Sequence, residues 1–241
     1  GHPLIVGLAG LALCAATTFV IIEHRSAHPA LDLRLFLNRT FTASVLAAYL
    51  CYLASASVSF LLPFYLLSAA GYSVSHAGLL MMAVPLAMMA VTGVSGTLSD
   101  RVGVRVPATV GMVLMTAGLC LLGGVRLSDS AGHLAAYLAV LGVGTGLFTA
   151  PNNSAIMGSV PRDRQGVAGA ILAASRTVGF ASGVALAGLV FMTCLGASDG
   201  AGRPEAVAHA VRAGLRVTAV FAFVGAVSSA VRGQRNLPNN V

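Results

Sequence analysis

Gly96-Thr97-Leu98-Ser99-Asp100-Arg101-Val102-Gly103-Val104-Arg105 joins two runs free of acidic and basic residues, 77–98 and 107–125. A bilayer needs roughly 20 consecutive apolar residues per helical span, and both runs meet that length. The glycines of the joining stretch permit a tight reversal. Its one acid and two guanidinium groups can bond helix termini and each other. A short charged turn between two membrane-length runs reads as a hairpin of transmembrane helices.

Working outward, charge-free runs recur at 4–22, 41–70, 134–157, 167–195 and 213–231, the last two interrupted only by Arg176 and Arg216. Seven transmembrane spans are expected. None has the period-two alternation of a β-barrel strand, so the fold class is all-α, a polytopic helical membrane protein. Composition agrees: 57% of the chain is hydrophobic and 9% charged, against about 25% charged in soluble domains. Residues 23–40 are polar, include Pro29, and read as a linker ahead of a six-helix unit over 41–231.

The net charge of +7 comes from 14 arginines and no lysine against 7 acids. Nine of the arginines (Arg25, Arg34, Arg39, Arg101, Arg105, Arg162, Arg164, Arg232, Arg235) fall in alternate connections. By the positive-inside bias those connections are cytoplasmic, which places the amino end outside and the tail at 232–241 in the cytoplasm of a bacterial cell membrane. With no base-stacking or groove-reading element beside them, the arginines point to the lipid bilayer as a partner and exclude nucleic acid. Cys14, Cys51, Cys120 and Cys194 stand far apart inside apolar runs and read as packing thiols, not as a metal or disulfide set. The histidines sit near loops and span ends, and no cofactor is expected.

The stretch 96–105 resembles the cytoplasmic loop signature of the major facilitator superfamily, Gly-x-Leu-x-Asp-Arg-x-Gly-x-Arg, at every signature position. Further segments resemble its fourteen-helix drug/proton antiporter branch: Leu35-Phe36, Gly71-Tyr72-Ser73, Ala77-Gly78 with Pro85, Gly142-x-Gly144-x-Gly146 before Pro151-Asn152, and Arg176 through Gly183. The resemblance implies that 1–22 is an extra central helix and that 41–231 is the carboxy-terminal transporter domain, built as two inverted three-helix repeats. It implies secondary transport, proton-coupled efflux of hydrophobic or drug-like small molecules by alternating access. The amino-terminal half would lie upstream and supply the coupling acids, since no Asp or Glu falls inside any expected span.

Gly96, Asp100, Arg101, Gly103 and Arg105 are the candidate cytoplasmic gating loop. Arg176, ten residues into its helix, lies about 15 Å deep at 1.5 Å per residue. Such a charge turns toward a bundle interior or a wet cavity. Asn152 and Asn153 on the preceding span are its candidate polar partners. Tyr49, Tyr52, Phe60, Met81 and Met88 recur at helical spacing and are candidates to line a cavity for varied apolar substrates. Small-xxx-small pairs, Gly142 with Gly146 and Gly179 with Gly183, mark faces where helices approach closely. Pro63, Pro85 and Pro151 are expected to kink their helices.

A seven-span receptor, or another helical membrane protein that does not transport, is the alternative. A retinal protein is excluded because its Schiff base needs a lysine, and the loop signature and Arg176 segment weigh against other receptors. An enzyme is not expected: there is no His-Glu-x-x-His, no intramembrane Asp pair and no Ser/His arrangement on adjacent spans.

Reporter fusions at Ser73, Asp129 and Asp199 should register outside the cell, and fusions at Arg101, Asp163 and the carboxyl end inside. The reversed pattern would refute the orientation.

Overall fold

The computed structural model describes Gly7, Gly10, Leu11, Cys14, Thr17 and Thr18, and then residues 33–197 and 202–231. Most of the expected first span at 4–22, residues 23–32 and the tail at 232–241 lie outside the described residues. After a 3-10 turn, Leu33–Leu37, come α1 (Arg39–Phe64), α2 (Val74–Met81), α3 (Ala83–Val102), α4 (Arg105–Gly123), α5 (Ala131–Gly158), α6 (Gln165–Gly196) and α7 (Arg203–Ala230). No strand occurs among the described residues. α2 and α3 together form one span, so six helical stretches among the described residues are long and apolar enough to cross a membrane.

The helix ends follow local chemistry. Asn38 accepts bonds from the Thr40 and Phe41 amides at the start of α1, and Ser73 and Ser130 cap α2 and α5 through the His76 and His133 amides. Gly103, at φ 80 and ψ 162, reverses the chain between α3 and α4 in a conformation suited to glycine alone. The three prolines act differently. α2 gives way to α3 at Met82, three residues before Pro85, whose ring cannot serve the carbonyl four residues back. Pro63 precedes a π-helical turn, Tyr65–Ala69, while α5 runs through Pro151 unbroken.

The last helix begins at Arg203, ten residues before the expected start at 213. A charge-free run necessarily stops at Arg212, but the helix does not. Pro204 suits its first turn, and the arginines inside it have partners: Arg212 Nη1 donates to the Val125 carbonyl at 3.3 Å and Arg216 Nε to that of Gly123 at 2.8 Å.

Registers between helices define the topology. α4 and α5 are antiparallel, with Gly111 against Phe148 and Gly118 against Leu141. α1 runs antiparallel to α7, with Leu50 at Gly225 and Leu61 at Gly214, and α4 antiparallel to α7, with Thr109 bonded to Ser229. Two pairs are parallel: α3 meets α5 through Val84 at Gly142 and Met88 at Gly146, and α1 meets α6 through Tyr49 at Gly179 and Leu53 at Gly183. Exchanging α1 with α5, α2–α3 with α6, and α4 with α7 maps the α4–α5 contact onto α1–α7, the α1–α6 contact onto α3–α5, and the α4–α7 contact onto itself. That is the pairing of two inverted three-helix repeats.

Lipid tails are as apolar as leucine, so helix association in a bilayer relies on close packing and hydrogen bonds instead of a hydrophobic drive. Both parallel crossings have these. Ser57 Oγ donates to the Gly183 carbonyl at 3.0 Å, and Ser95 Oγ to that of Leu147 at 2.9 Å. The main core joins Val58, Leu61, Leu62 and Tyr65 of α1 and its π-turn to Met112, Met115, Leu119 and Leu122 of α4, Leu138 and Leu141 of α5 and Leu215 of α7. By contrast α3 buries only Ser95 and Ser99 and presents Leu86, Met89 and Val94 outward, and α6 presents Val178, Val184 and Leu189.

A Cβ at Gly183 would strike the Leu53 carbonyl oxygen, and one at Gly111 would lie 2.6 Å from the Phe148 nitrogen. Gly183→Val and Gly111→Val should each cost about 1–3 kcal/mol or more, because backbone cannot yield as side chains do. Gly96 has open space around it, and Gly96→Ala should instead stabilise α3 by about 0.5–1 kcal/mol. Thermal unfolding of the purified protein separates the two classes, and equal effects would refute the crossings.

Candidate functional site

The loop at 96–105 divides between helix and turn. Gly96 and Asp100 belong to α3, Gly103 makes the reversal and Arg105 opens α4. The reversal thus rests on Gly103, while Gly96 lies within the helix and takes no part in it. Ser99 is buried, and Asp100 and Arg101 are exposed. None of Asp100, Arg101 or Arg105 bonds to a described residue, so their charges stand at one end of the bundle available to another surface.

Arg176 lies in the exposed flank of α6 and makes no hydrogen bond or ion pair to a described residue. With Tyr52, Asn153, Gly169, Leu172 and Ala173 it lines a cleft of about 230 Å³ between α1, α5 and α6. Tyr52 is held there by the Phe180 ring, one helical turn beyond Arg176, at a centroid distance of 6.0 Å. Gly169 and Ala173 keep the α6 wall low. The cleft therefore combines an aromatic face, a planar five-donor cation and an amide that both donates and accepts.

The two asparagines part company. Asn153 faces the cleft, whereas Asn152 is 1% exposed and donates from Nδ2 to the Ser44 carbonyl of α1 at 3.2 Å. Adjacent residues on a helix point about 100° apart, so Asn152 latches α5 onto α1 and is not among the cleft residues around Arg176. Asn38 repeats that latch at the helix ends, donating to the Ser159 carbonyl at 2.9 Å.

The remaining candidates disperse. Tyr49 pairs its hydroxyl with Ser182 at 3.0 Å in the α1–α6 crossing, and Phe60 packs tilted against Phe64 at a centroid distance of 5.3 Å further along α1. The backbone of Met88 lies against Gly146 in the α3–α5 crossing, and Met81 packs on the main core. Of the five aromatic and methionine candidates, only Tyr52 lines the Arg176 cleft.

Sequence reading missed the opposite end of the bundle. There the carbonyls of Gly123, Val125 and Arg126, leaving α4, accept from Arg216, Arg212 and the Tyr65 hydroxyl, the last at 2.9 Å. Cationic donors at a helix carboxyl end satisfy both its orphan carbonyls and its dipole. The available signal was Arg212 and Arg216 four residues apart, one helical turn, at a place where positive-inside counting treats arginines as exceptions. A cleft of about 440 Å³ beside this end is lined by Phe64, Ser68, Phe191, Leu195, Arg203 and Val207.

Comparison with known proteins gives a consistent result. The family model described as Major Facilitator Superfamily matches residues 44–237. The chain is 35% identical over 178 residues to the riboflavin transporter RibZ of Clostridioides difficile (strain 630), covering 73% of this chain and 39% of that protein. It is 28% identical over 186 residues to the multidrug transporter protein MdtP of Bacillus subtilis (strain 168), covering 77% and 34%. To the multidrug resistance protein Stp of Mycobacterium tuberculosis (strain CDC 1551 / Oshkosh) it is 30% identical over 187 residues, covering 78% and 35%. The chain thus matches between a third and two-fifths of the length of these relatives. A crystal structure of the peptide transporter POT in complex with sulfate shares the fold, with a TM-score of 0.58 at 21% identity over 80% of this chain and 37% of that one.

The division between the asparagines is testable by stability. Asn152→Ala should lower unfolding free energy by about 1–3 kcal/mol through its lost buried bond, and Asn153→Ala should change it by less than about 0.5 kcal/mol. Denaturant unfolding in detergent reads both. Equal losses would place both amides in the packing.

Proposed function

The chain belongs to the Major Facilitator Superfamily, and from that membership we propose that it is the carboxy-terminal part of a proton-coupled exporter of hydrophobic or drug-like small molecules. The observation that carries this reading is Arg176, a charge about a third of the way along a membrane-length helix, in a cleft with Asn153 and Tyr52 and without a described counter-ion. Facing lipid, such an arginine would cost at least about 2.5–3.5 kcal/mol on insertion scales. Facing a water-filled cavity that alternates between the two sides of the membrane, it is hydrated and free to meet a ligand.

On this reading 1–22 is an extra central helix, 23–40 a linker and 232–241 a cytoplasmic tail. The sparsely buried, apolar flanks of α3 and α6 are then covered by the amino-terminal half, which also brings the proton-carrying acids. The fourteen-helix drug/proton antiporter branch is the best match for the motif set. Alternating access is a rocking of one half against the other, and Asp100 and Arg101, exposed at the end of α3, are placed to favour one of the two packings.

Inverted vesicles carrying the full-length protein test the proposal. An inward-acid proton gradient should drive accumulation of a multidrug probe, and collapse of the gradient should abolish it. Asp100→Asn should lower that rate at least severalfold with membrane abundance nearly unchanged. Uptake that ignores the gradient would refute proton coupling, and an equal loss of abundance would make Asp100 a folding residue.

A further inference from the structure

We infer that the Arg176 cleft selects planar aromatic molecules bearing an anionic or strongly hydrogen-bond-accepting edge, and disfavours permanent cations. The inference rests on the transport reading for the cleft's access to substrate, but its chemistry comes from the groups that line it.

Arg176 brings a positive charge with no described acid beside it. The described acids are Asp100, Asp129, Asp163 and Glu205, at helix ends or in turns, and none lines the cleft. In a partly dry site with an effective dielectric of about 20, unit charges some 4 Å apart attract or repel strongly enough to change affinity well over tenfold. An uncompensated guanidinium therefore rejects a cationic ring as firmly as it draws an anionic one. Its fork also matches a carboxylate or a pair of carbonyl acceptors in one plane, which a point charge does not.

The rest of the cleft supplies orientation. Tyr52 presents a ring braced by Phe180 at 6.0 Å, a face on which a flat molecule can stack. Asn153 adds one acceptor and two donors at the rim. Gly169 and Ala173 leave the α6 wall without bulk, so a ring can reach the guanidinium. At about 230 Å³ the cleft is smaller than the usual ligand pocket, and it holds the polar aromatic end of a molecule whose remainder extends outward.

Two planar dyes of opposite charge make the test, fluorescein as the anion and ethidium as the cation. Their binding to the full-length protein in nanodiscs is followed by fluorescence anisotropy, and their movement in proteoliposomes in parallel. Fluorescein should bind more tightly than ethidium. Arg176→Gln should weaken fluorescein at least tenfold while ethidium changes less than twofold or improves, and Arg176→Lys should retain part of the difference. If Arg176→Gln does not insert, Asn153→Ala carries the test, with an expected fluorescein loss of about threefold to tenfold. Tighter binding of ethidium, or equal loss of both dyes, would overturn the inference, the latter by making Arg176 the partner of an acid from the other half. Arginine-dependent fluorescein binding without movement of either dye would leave the anion site standing and refute the transport reading instead.

Discussion

Backbone-to-backbone contact at two parallel crossings is what the bundle depends on. At α1–α6 and α3–α5 glycines let one helix settle against the main chain of the next, and in both a serine hydroxyl bonds across to a carbonyl. Within a bilayer, where burial of apolar surface gives helices no reason to associate, such contacts decide which faces meet. The remaining architecture follows: α4 and α7 fill the far side, and α3 and α6 are held with their outer flanks bare.

Backbone satisfaction explains the ends of the bundle in the same terms. Three carbonyls leaving α4 are taken up by Tyr65, Arg212 and Arg216, drawn from the first and last spans. At the other end the α3–α4 reversal is a single glycine turn whose charged residues bond to no described group. One end is tied by side chains from the end of the first described span and from α7, and at the other Asn38 donates to the Ser159 carbonyl and Ser228 to that of Ala43.

Much of this was legible in the residues. Length and apolarity located six spans because the bilayer imposes them, and Gly142, Gly146, Gly179 and Gly183 announced the crossings because only small residues admit a neighbouring backbone. Arg176 lines a cleft with Asn153 and Tyr52, and its role there belongs to the proposed function. What a linear reading of residues does not carry is rotation about a helix axis. Asn152 and Asn153 are adjacent in sequence yet serve a packing latch and the cleft respectively. Tyr49, Phe60, Met81 and Met88 share a residue character with Tyr52 but face other neighbours. The early start of α7 was hidden because an arginine bonded to carbonyls looks, in sequence, like one dissolved in water.

The two crossings also differ in when they can exist. Ser95 and Leu147 are 52 residues apart, whereas Ser57 and Gly183 are 126 apart. A chain emerging from the ribosome therefore completes the α3–α5 contact while α6 is still unmade, and α1, already in the membrane, waits for a mate from near the end of synthesis. Its crossing face is meanwhile open to lipid or to a foreign helix. The segment with the most buried surface in the finished bundle is thus the one longest exposed during biogenesis, and the place where a membrane chaperone or quality-control protease has the most to recognise.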